Sequence, residues 1–450
     1  MRILAAALLR WLAEVAVRIY YPRRTLEGAQ HLPPTGPTLY VANHPNGLLD
    51  PLVLRVCIGR RARFLAKSTL WGNPFGRLAM DAFGCLPVYR RQDHVGRNTE
   101  STTALNDETF ARCRVELSAG AELALYPEGA SHSDPQLKPL KPGAARIALS
   151  AAAEAAGGDG RRIPVVVPVG SHYEDKARFR SGVHLVIGAP IDLAAHGARF
   201  AEDQRQGVEA LTDEIRARLD GLVLQAETRD LLNGIARVAS WTASDPDDDA
   251  PERRLARARE LAAAYRRLQT SDPARVDRIA RETRRYARTL RALGVQDPWA
   301  LEIPRVTAAG VMTTLARAVL ITPLAVWGVV TSWPAYRLSG VLAARATKDE
   351  DILSTMKMIG GAAFLTAAWI SEALFIGYHR GVAWAFASLL LAPLAGYAAL
   401  RWGETLGQVA AAIRHFGWRA RGPAVDRMIA RRRRLAQEVT AALRDSGSRS

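Results

Sequence analysis

The sequence Val-Ala-Asn-His-Pro-Asn-Gly-Leu-Leu-Asp-Pro at residues 41–51 decides the fold of this chain. Residues 38–42 are β-prone and mostly apolar, and a cluster rich in Pro and Gly precedes them, which predicts a strand. His44 then lies at the end of that strand. The Asn-Gly pair that follows suits a turn, and Pro51 is favoured at the first position of a helix.

The histidine and the aspartate of this stretch suit general-base chemistry. The pKa of an imidazole is about 6.5, so His44 can accept a proton at neutral pH, and a carboxylate on its other ring nitrogen would fix its tautomer. Asp50 is the candidate for that carboxylate. A spacing of six does not place two side chains on one helix face, so the turn must bring them together. In the alternative, structural interpretation, His44 is a core or capping histidine and Asp50 caps a helix that starts at Pro51.

Charge and composition limit the classes of partner. The 450 residues carry a formal net charge of +17, which indicates an anionic partner or surface. We find no zinc-ligand spacing, aromatic single-strand platform or clear helix-turn-helix, so we expect no nucleic-acid partner. Anionic lipid headgroups account for the charge more simply, because the last third of the chain is apolar. Arginines that only solvate helix faces explain part of it equally well.

The cysteines indicate a reduced compartment. Cys57, Cys85 and Cys113 are odd in number and far apart in the sequence, with no Cys-x-x-Cys motif. None lies beside an activating base in the sequence. We therefore predict that all three are small buried hydrophobic residues.

An alternation of strand and helix patterns runs through residues 23–195. Strand-like runs occur at residues 38–42, 63–66, 85–89, 122–126, 163–169 and 183–187. Helical patterns occur at residues 51–58, 75–83, 100–118 and 143–156. The alternation predicts an α/β domain with a largely parallel sheet flanked by helices, whose site lies at the carboxyl ends of the strands. The residues expected at those ends are His44, Arg90, Glu128 and Gly170.

Four sequence blocks resemble a known family. They are Asn-His with Asp-Pro at residues 43–51, Gly-Cys-Leu-Pro-Val-Tyr-Arg at 84–90, Tyr-Pro-Glu-Gly at 126–129 and Ile-Pro-Val-Val-Val-Pro-Val at 163–169. In this order they resemble the glycerolipid acyltransferases of the PlsC type, which include glycerol-3-phosphate and lysophosphatidate acyltransferases. The chain has five residues between His44 and Asp50 where the family usually has four. It also reads Pro-Glu-Gly-Ala-Ser-His where Pro-Glu-Gly-Thr-Arg is usual. Both departures resemble the branch of yeast glycerol-3-phosphate/dihydroxyacetone-phosphate acyltransferases.

The resemblance implies transfer of an acyl group from a thioester to an alcohol. Such a transfer needs a base to remove the hydroxyl proton, and His44 oriented by Asp50 would be that base. The chain has no Gly-x-Ser-x-Gly motif, which argues against a covalent acyl-enzyme of the α/β-hydrolase type. We expect acyl-CoA or acyl carrier protein as co-substrate, with no cofactor and no metal.

A phosphate on the acceptor requires cations. The predicted substrate-binding residues are Lys67, Arg90, Glu128, Gly129 and Lys141. The planar fork of Arg90 suits two phosphate oxygens, and the two lysines are conspicuous in a chain that otherwise uses Arg, although solvated surface lysines are the alternative. The resemblance implies that Glu128 takes part in acceptor binding, by accepting a glycerol hydroxyl or by holding a basic residue. Gly129 would allow close backbone approach.

The rest of the chain predicts membrane attachment. Residues 1–22 read as an interfacial amphipathic helix, with a helix packed on the catalytic domain as the alternative. Residues 196–304 predict a helical connecting region. In the membrane region, 305–404, the two segments 358–378 and 382–402 each supply about the 20 apolar residues of a spanning helix, and 306–336 is a re-entrant or spanning segment. Residues 405–450 are a basic C-terminal tail, whose arginines place it on the cytoplasmic side. The catalytic domain lies on the same side if the segment 306–334 enters and leaves the membrane on one side.

Three functions remain open from the sequence. The first is a multi-pass membrane acyltransferase that acylates glycerol-3-phosphate. The second is an enzyme of the same family that acylates lysophosphatidate at the sn-2 position. The third is a non-catalytic membrane scaffold that binds lipid and retains the fold.

Overall fold

The computed structural model describes residues 2–90, 99–157, 162–243, 248–292, 308–419 and 422–447. The chain divides into two compact units. The first comprises Met1–Glu227 and Thr347–Thr355, and the second comprises Thr228–Ala346 and Met356–Ser450. The catalytic domain predicted over residues 23–195 is therefore part of a larger unit, which includes a short segment from much later in the chain.

A seven-stranded sheet forms the centre of the first unit. Its strands are β1 (Arg23–Glu27), β2 (Thr38–Ala42), β3 (Arg63–Lys67), β4 (Leu86–Val88), β5 (Glu122–Leu125), β6 (Val165–Tyr173) and β7 (Gly182–Ile187). Their order is β1-β7-β6-β2-β5-β3-β4. Neighbouring strands are parallel except for the antiparallel pair β6 and β7. The prediction of a largely parallel sheet flanked by helices is confirmed, with β1 as a strand that the sequence pattern missed.

In the described part of the chain, seven α-helices lie wholly within this unit: α1 (Arg2–Tyr20), α2 (Leu49–Ile58), α3 (Pro74–Phe83), α4 (Thr99–Ser118), α5 (Gly143–Ala156), α6 (Ala194–Glu202) and α7 (Gln204–Leu222). The bounds of α3 follow from its sequence, because Asn73 accepts a hydrogen bond from the N–H of Gly76 and Gly84 ends the helix in the left-handed conformation. Leu211 and Leu219 of α7 are fully buried in the same core as the sheet and α5. The first unit therefore continues past the boundary predicted at residue 195.

Helix α1 presents most of the large apolar side chains of its first twelve residues to solvent, while Val17 and Tyr20 near its end are buried. Its polar stripe faces the protein: Arg10 donates to the carbonyl of Ala82 over 2.6 Å, and Glu14 accepts from Arg55 over 2.9 Å. Ile3 and Trp11 are 83% and 58% exposed. The helix thus packs on the domain, as the alternative interpretation predicted. It also leaves an apolar face outward, as an interfacial helix requires.

The second unit contains a cluster of amphipathic helices: α8 (Arg229–Trp241), α9 (Pro251–Ser271), α10 (Pro273–Ala292) and α14 (Gly422–Gly447). Met428, Leu435 and Val439 of α14 are buried against α8 and α10. Within the predicted basic tail, Arg432 is only 4% exposed and donates to the carbonyl of Trp241 over 3.3 Å. Much of the tail is therefore a packed helix, because its apolar residues recur at helical spacing.

Among the residues that the structure describes, three helices are long and apolar enough to cross a membrane: α11 (Ala308–Ala346), α12 (Glu350–Arg380) and α13 (Val382–Arg419). The predicted spans 358–378 and 382–402 lie within α12 and α13. Of the segment 306–336, predicted to be re-entrant or spanning, residues 306 and 307 lie outside the described residues, and the rest belongs to α11, which continues as one helix through Pro323 and Pro334. Glu372, which lies inside a span, accepts a hydrogen bond from Trp327 over 2.5 Å. This bond pairs one of the two carboxyl oxygens, Oε1, and among the described residues Oε2 has no hydrogen-bond partner.

Candidate active site

His44 and Asp50 are in direct contact. Nδ1 of His44 lies 2.8 Å from Oδ2 of Asp50, the aspartate side chain is fully buried and the histidine side chain is 17% exposed. Strand β2 ends at Ala42, and a turn in which Gly47 has φ of 44° leads into α2. Asp50 lies inside the first turn of α2, whose cap residue is Leu48, so the interpretation of Asp50 as a helix cap is wrong.

Asp50 is held by two further donors. Its Oδ2 accepts from the main-chain N–H of Asn46 over 2.7 Å, and its Oδ1 accepts from the hydroxyl of Tyr173 over 2.6 Å. Burial, with the neighbouring Asp50 carboxylate, raises the pKa of Tyr173 well above its ordinary value, so the hydroxyl stays protonated and donates. The carboxylate therefore keeps one orientation toward the imidazole.

Tyr126 stacks on the imidazole of His44. The two ring centroids are 4.0 Å apart and the ring planes are 15° from parallel. Burial raises the pKa of the Tyr126 hydroxyl well above its ordinary value. The stacked ring limits rotation of the imidazole, so Asp50 and Tyr126 together fix its plane.

Glu128 supports the backbone of His44. Its Oε1 accepts from the N–H of His44 over 2.8 Å, and its Oε2 accepts from the N–H of Lys138 over 2.9 Å and from the ring of His132. Burial raises the pKa of the Glu128 carboxyl, but these bonds outweigh burial and leave the pKa below its ordinary value. The side chain has no exposed surface. Of the two roles predicted for Glu128, this geometry matches holding a basic residue, and it leaves no surface on which to accept a glycerol hydroxyl.

Arg90, Gly129 and Lys141 lie together beyond the ends of β4 and β5. Nη1 of Arg90 donates to the carbonyl of Gly129 over 3.1 Å, and the N–H of Lys141 donates to the carbonyl of Pro127 over 2.7 Å. Gly129 has φ of +76°, and a Cβ there would lie 2.5 Å from Nζ of Lys141. Only glycine fits this position. The cluster places two cations beside a backbone that a phosphate can approach closely.

Two other predicted positions, Lys67 and Gly170, lie in strands β3 and β6. Lys67 is exposed at the carboxyl end of β3, where it pairs with Val88 of β4, and the described residues give its ammonium group no hydrogen-bond partner. Gly170 lies inside β6 and not beyond its end, because the strand continues to Tyr173. His172, two residues further along the same strand, contacts the carbonyl of Leu222.

Sequence reasoning missed Tyr126, Tyr173 and His132 as parts of this site. His132 contacts Glu128 through its ring, and its N–H donates to the carbonyl of His44 over 3.1 Å. One signal could have found it. The chain departs from the usual motif by placing a histidine four positions after Glu128, which is within reach of a carboxylate in a tight loop.

The arrangement can remove a proton from an alcohol. Nδ1 of His44 is occupied by Asp50, and no described residue bonds to Nε2, which is the nitrogen left to accept a proton. Within the described ranges no group of three or more His, Cys, Asp or Glu side chains could hold a metal ion.

Comparison with known proteins agrees with this chemistry. Residues 23–171 match the acyltransferase family model. An uncharacterized acyltransferase of Schizosaccharomyces pombe is 24% identical over 90% of this chain and 75% of its own length. Glycerol-3-phosphate O-acyltransferase 2 of Saccharomyces cerevisiae is 34% identical over 28% of this chain and 17% of its own length. The human 1-acyl-sn-glycerol-3-phosphate acyltransferase alpha is 25% identical over 36% of this chain and 53% of its own length.

Among solved structures, the 1-acyl-sn-glycerophosphate acyltransferase of Thermotoga maritima is similar, with 19% identity and a TM-score of 0.33 over 49% of this chain and 81% of that one. The match to the family model covers β1 through most of β6, including His44, Asp50, Arg90 and Glu128. Residues 23–171 are therefore an acyltransferase domain, and the chain that carries it is an O-acyltransferase.

Proposed function

We propose that this chain transfers a fatty acyl group from a thioester carrier, acyl-CoA or acyl carrier protein, to a hydroxyl of glycerol-3-phosphate in phospholipid synthesis. The observation that carries the proposal is the contact of 2.8 Å between Nδ1 of His44 and Oδ2 of Asp50, which leaves Nε2 available as a base. A scaffold that only binds lipid has no need of such a pair.

His44 and Asp50 are sufficient to account for every proton moved in the transfer. Nε2 of His44 takes the proton of the acceptor hydroxyl as the hydroxyl oxygen attacks the thioester carbonyl. Asp50 stabilises the imidazolium that forms. When the tetrahedral intermediate collapses, the carbon–sulfur bond breaks and the thiolate takes the proton from the imidazolium. The products are an ester and a free thiol, and His44 returns to its neutral form.

The acceptor phosphate binds at the cluster of Arg90, Gly129 and Lys141 in this proposal. Two cations and a glycine backbone at one edge of the sheet suit a phosphate dianion better than they suit a neutral glycerol. Lys67 at the end of β3 adds positive charge on the same edge. Glu128 acts through His44 and His132, and it does not contact the acceptor.

Glycerol-3-phosphate is favoured over lysophosphatidate as the acceptor on two grounds. The spacing of five residues between His44 and Asp50 and the Pro-Glu-Gly-Ala-Ser-His sequence resemble the yeast branch. A relative named for glycerol-3-phosphate is also 34% identical over the matched segment. Lysophosphatidate is the second candidate, since the human relative is named for that substrate.

The proposal also places the reaction at a membrane. Helices α11, α12 and α13 are apolar and mostly exposed. In the most apolar 18-residue stretch of each helix, only 17%, 6% and 22% respectively is buried. An apolar surface of that extent requires lipid. We place the catalytic domain on the cytoplasmic side, where acyl thioesters are available.

Purified protein in lipid nanodiscs tests the proposal. Labelled acyl-CoA and acyl carrier protein are each offered with equal concentrations of glycerol-3-phosphate, dihydroxyacetone phosphate or lysophosphatidate. We expect lysophosphatidate as the product from glycerol-3-phosphate and no transfer by His44→Ala. Faster acylation of lysophosphatidate would favour the second candidate. Equal rates with and without the His44 imidazole would refute both.

A further inference from the structure

Residues Thr347–Thr355 belong to the first unit although they follow Glu227 by more than a hundred positions. They include the first turns of α12, which begins at Glu350. The acyltransferase family match ends at residue 171, well before this segment. Its contacts with the catalytic loop are therefore a feature that the matched domain does not contain.

The hydroxyl of Ser354 donates to the side-chain oxygen of Asn46. Both residues are fully buried. The side-chain nitrogen of Asn46 donates to the hydroxyl of Tyr21 over 2.8 Å, and its main-chain N–H donates to Oδ2 of Asp50 over 2.7 Å. Ser354 is thus linked through Asn46 to the carboxylate of Asp50, which orients His44.

A second contact joins the same helix start to the loop that follows Gly129. Ser131 donates to Oδ2 of Asp351 over 2.5 Å, and Asp351 is only 8% exposed. Between the two contacts, a Cβ at Gly47 would lie 2.8 Å from the carbonyl oxygen of Asp351. The close approach explains why the catalytic turn has glycine at this position. The helix start therefore touches both loops that surround His44.

We propose that Asp351 and Ser354 are positioning residues for acyl transfer, which hold the turn 45–48 and the Ser131 loop in the arrangement that keeps Asp50 on His44. The inference rests on the proposed function. Gly47, at the tip of this turn, has no side chain that could fix the turn. Buried polar partners restrict such a turn more strongly than apolar packing does, because leaving Asn46 unpaired is costly.

Kinetics of the full-length protein in nanodiscs provide the first test. We expect Ser354→Ala and Asp351→Ala each to lower kcat about tenfold and to leave the KM for the acceptor within about twofold, since a small displacement of a catalytic group affects the transition state more than binding. Asp351→Asn keeps an oxygen that accepts from Ser131, so it should recover most of the activity. Ser371→Ala is the matched control, because that hydroxyl bonds only to Ala367 of its own helix.

Hydrogen exchange provides a test that does not depend on activity. In Ser354→Ala we expect faster amide exchange in peptides that cover residues 43–50, with exchange in α5 unchanged. Unchanged exchange at residues 43–50 would overturn the inference. Faster exchange with an unchanged kcat would also overturn it, since the contact would then be packing alone. If the wild-type protein transfers no acyl group, the proposed function fails while exchange still tests the contact.

Discussion

The main-chain N–H of His44 donates to Oε1 of Glu128 over 2.8 Å, although the two residues are 84 positions apart in the sequence. The carbonyl of His44 accepts from the N–H of His132 over 3.1 Å. The loop that carries Glu128 therefore holds the backbone of the base at both its donor and its acceptor. A fixed backbone lets Asp50 and Tyr126 determine the plane of the imidazole, which general-base catalysis requires.

The first prediction concerns the pair itself. We expect His44→Ala to abolish transfer and Asp50→Asn to lower kcat by about a thousandfold or more, because an amide no longer holds the productive tautomer. His196→Ala is the control, since His196 pairs with Glu214 away from the catalytic loop. Steady-state rates with labelled acyl-CoA measure the effect. An Asp50→Asn enzyme with near wild-type kcat would contradict the geometry.

A second prediction concerns Glu128. The pKa of its carboxyl is below the ordinary value of 4.5, so the charged form stabilises the fold. This stability is fully present above pH 4.5 and is lost as the pH falls through the lowered folded-state pKa. We expect Glu128→Gln to melt at a lower temperature at pH 7 and to show a smaller loss of stability on acidification. Thermal melts from pH 3 to pH 7 measure both, and parallel curves for wild type and variant would disprove the prediction.

Substitution of Arg90 should change the KM for the acceptor more than it changes kcat. We expect Arg90→Ala to raise the KM for glycerol-3-phosphate about ten- to a hundredfold, which corresponds to a charged hydrogen bond of about 1.5–3 kcal/mol. Arg90→Lys should recover part of this, because an ammonium cannot bind two phosphate oxygens in one plane. The control is Arg205→Ala, an exposed arginine on α7. A changed kcat with an unchanged KM would assign Arg90 to another role.

The three cysteine thiols should not take part in acyl transfer. Burial raises the pKa of the Cys57 and Cys85 thiols to about 11 and that of Cys113 to about 12. At pH 7.5 little thiolate is present, so we expect iodoacetamide to leave the activity unchanged over an hour. Mass spectrometry of the treated protein checks for alkylation. Rapid loss of activity together with alkylation of one of these residues would reveal a thiol in the reaction.

The exposed face of α1 should lie in the lipid headgroup region. Leu4 and Leu8 are 76% and 56% exposed, and the adjacent α3 exposes Phe75 by 62%. We expect spin labels at Leu4→Cys and Leu8→Cys, in nanodiscs, to collide with oxygen more than with a water-soluble nickel chelate. A label at Glu202→Cys on α6 provides the aqueous control. Equal accessibility of all three labels to the chelate would show that α1 does not contact lipid.

The periodicity of the sequence determined much of the architecture. Strand β2 and helix α5 have the bounds that the pattern predicted. The apolar runs of α12 and α13 are long enough to predict membrane-spanning helices from their length alone. Strand β1 escaped prediction because its sequence, Arg-Arg-Thr-Leu-Glu, is short and charged. It forms because β7 provides a parallel partner along its whole length.

The sequence by itself therefore determined the alternating sheet and helices, the motif residues and the apolar helices, since these depend on local patterns and on recognisable blocks. Only the tertiary structure decided what surrounds His44. Tyr126, Tyr173, His132 and Ser354 come from three separate parts of the chain, since Tyr126 and His132 share the loop after β5, and no spacing rule relates them to residue 44. Tyr126, Tyr173 and His132 meet there because parallel strands end at one edge of a sheet, and the segments at that edge pack together whatever their separation in sequence. Ser354 reaches the same place from the start of α12.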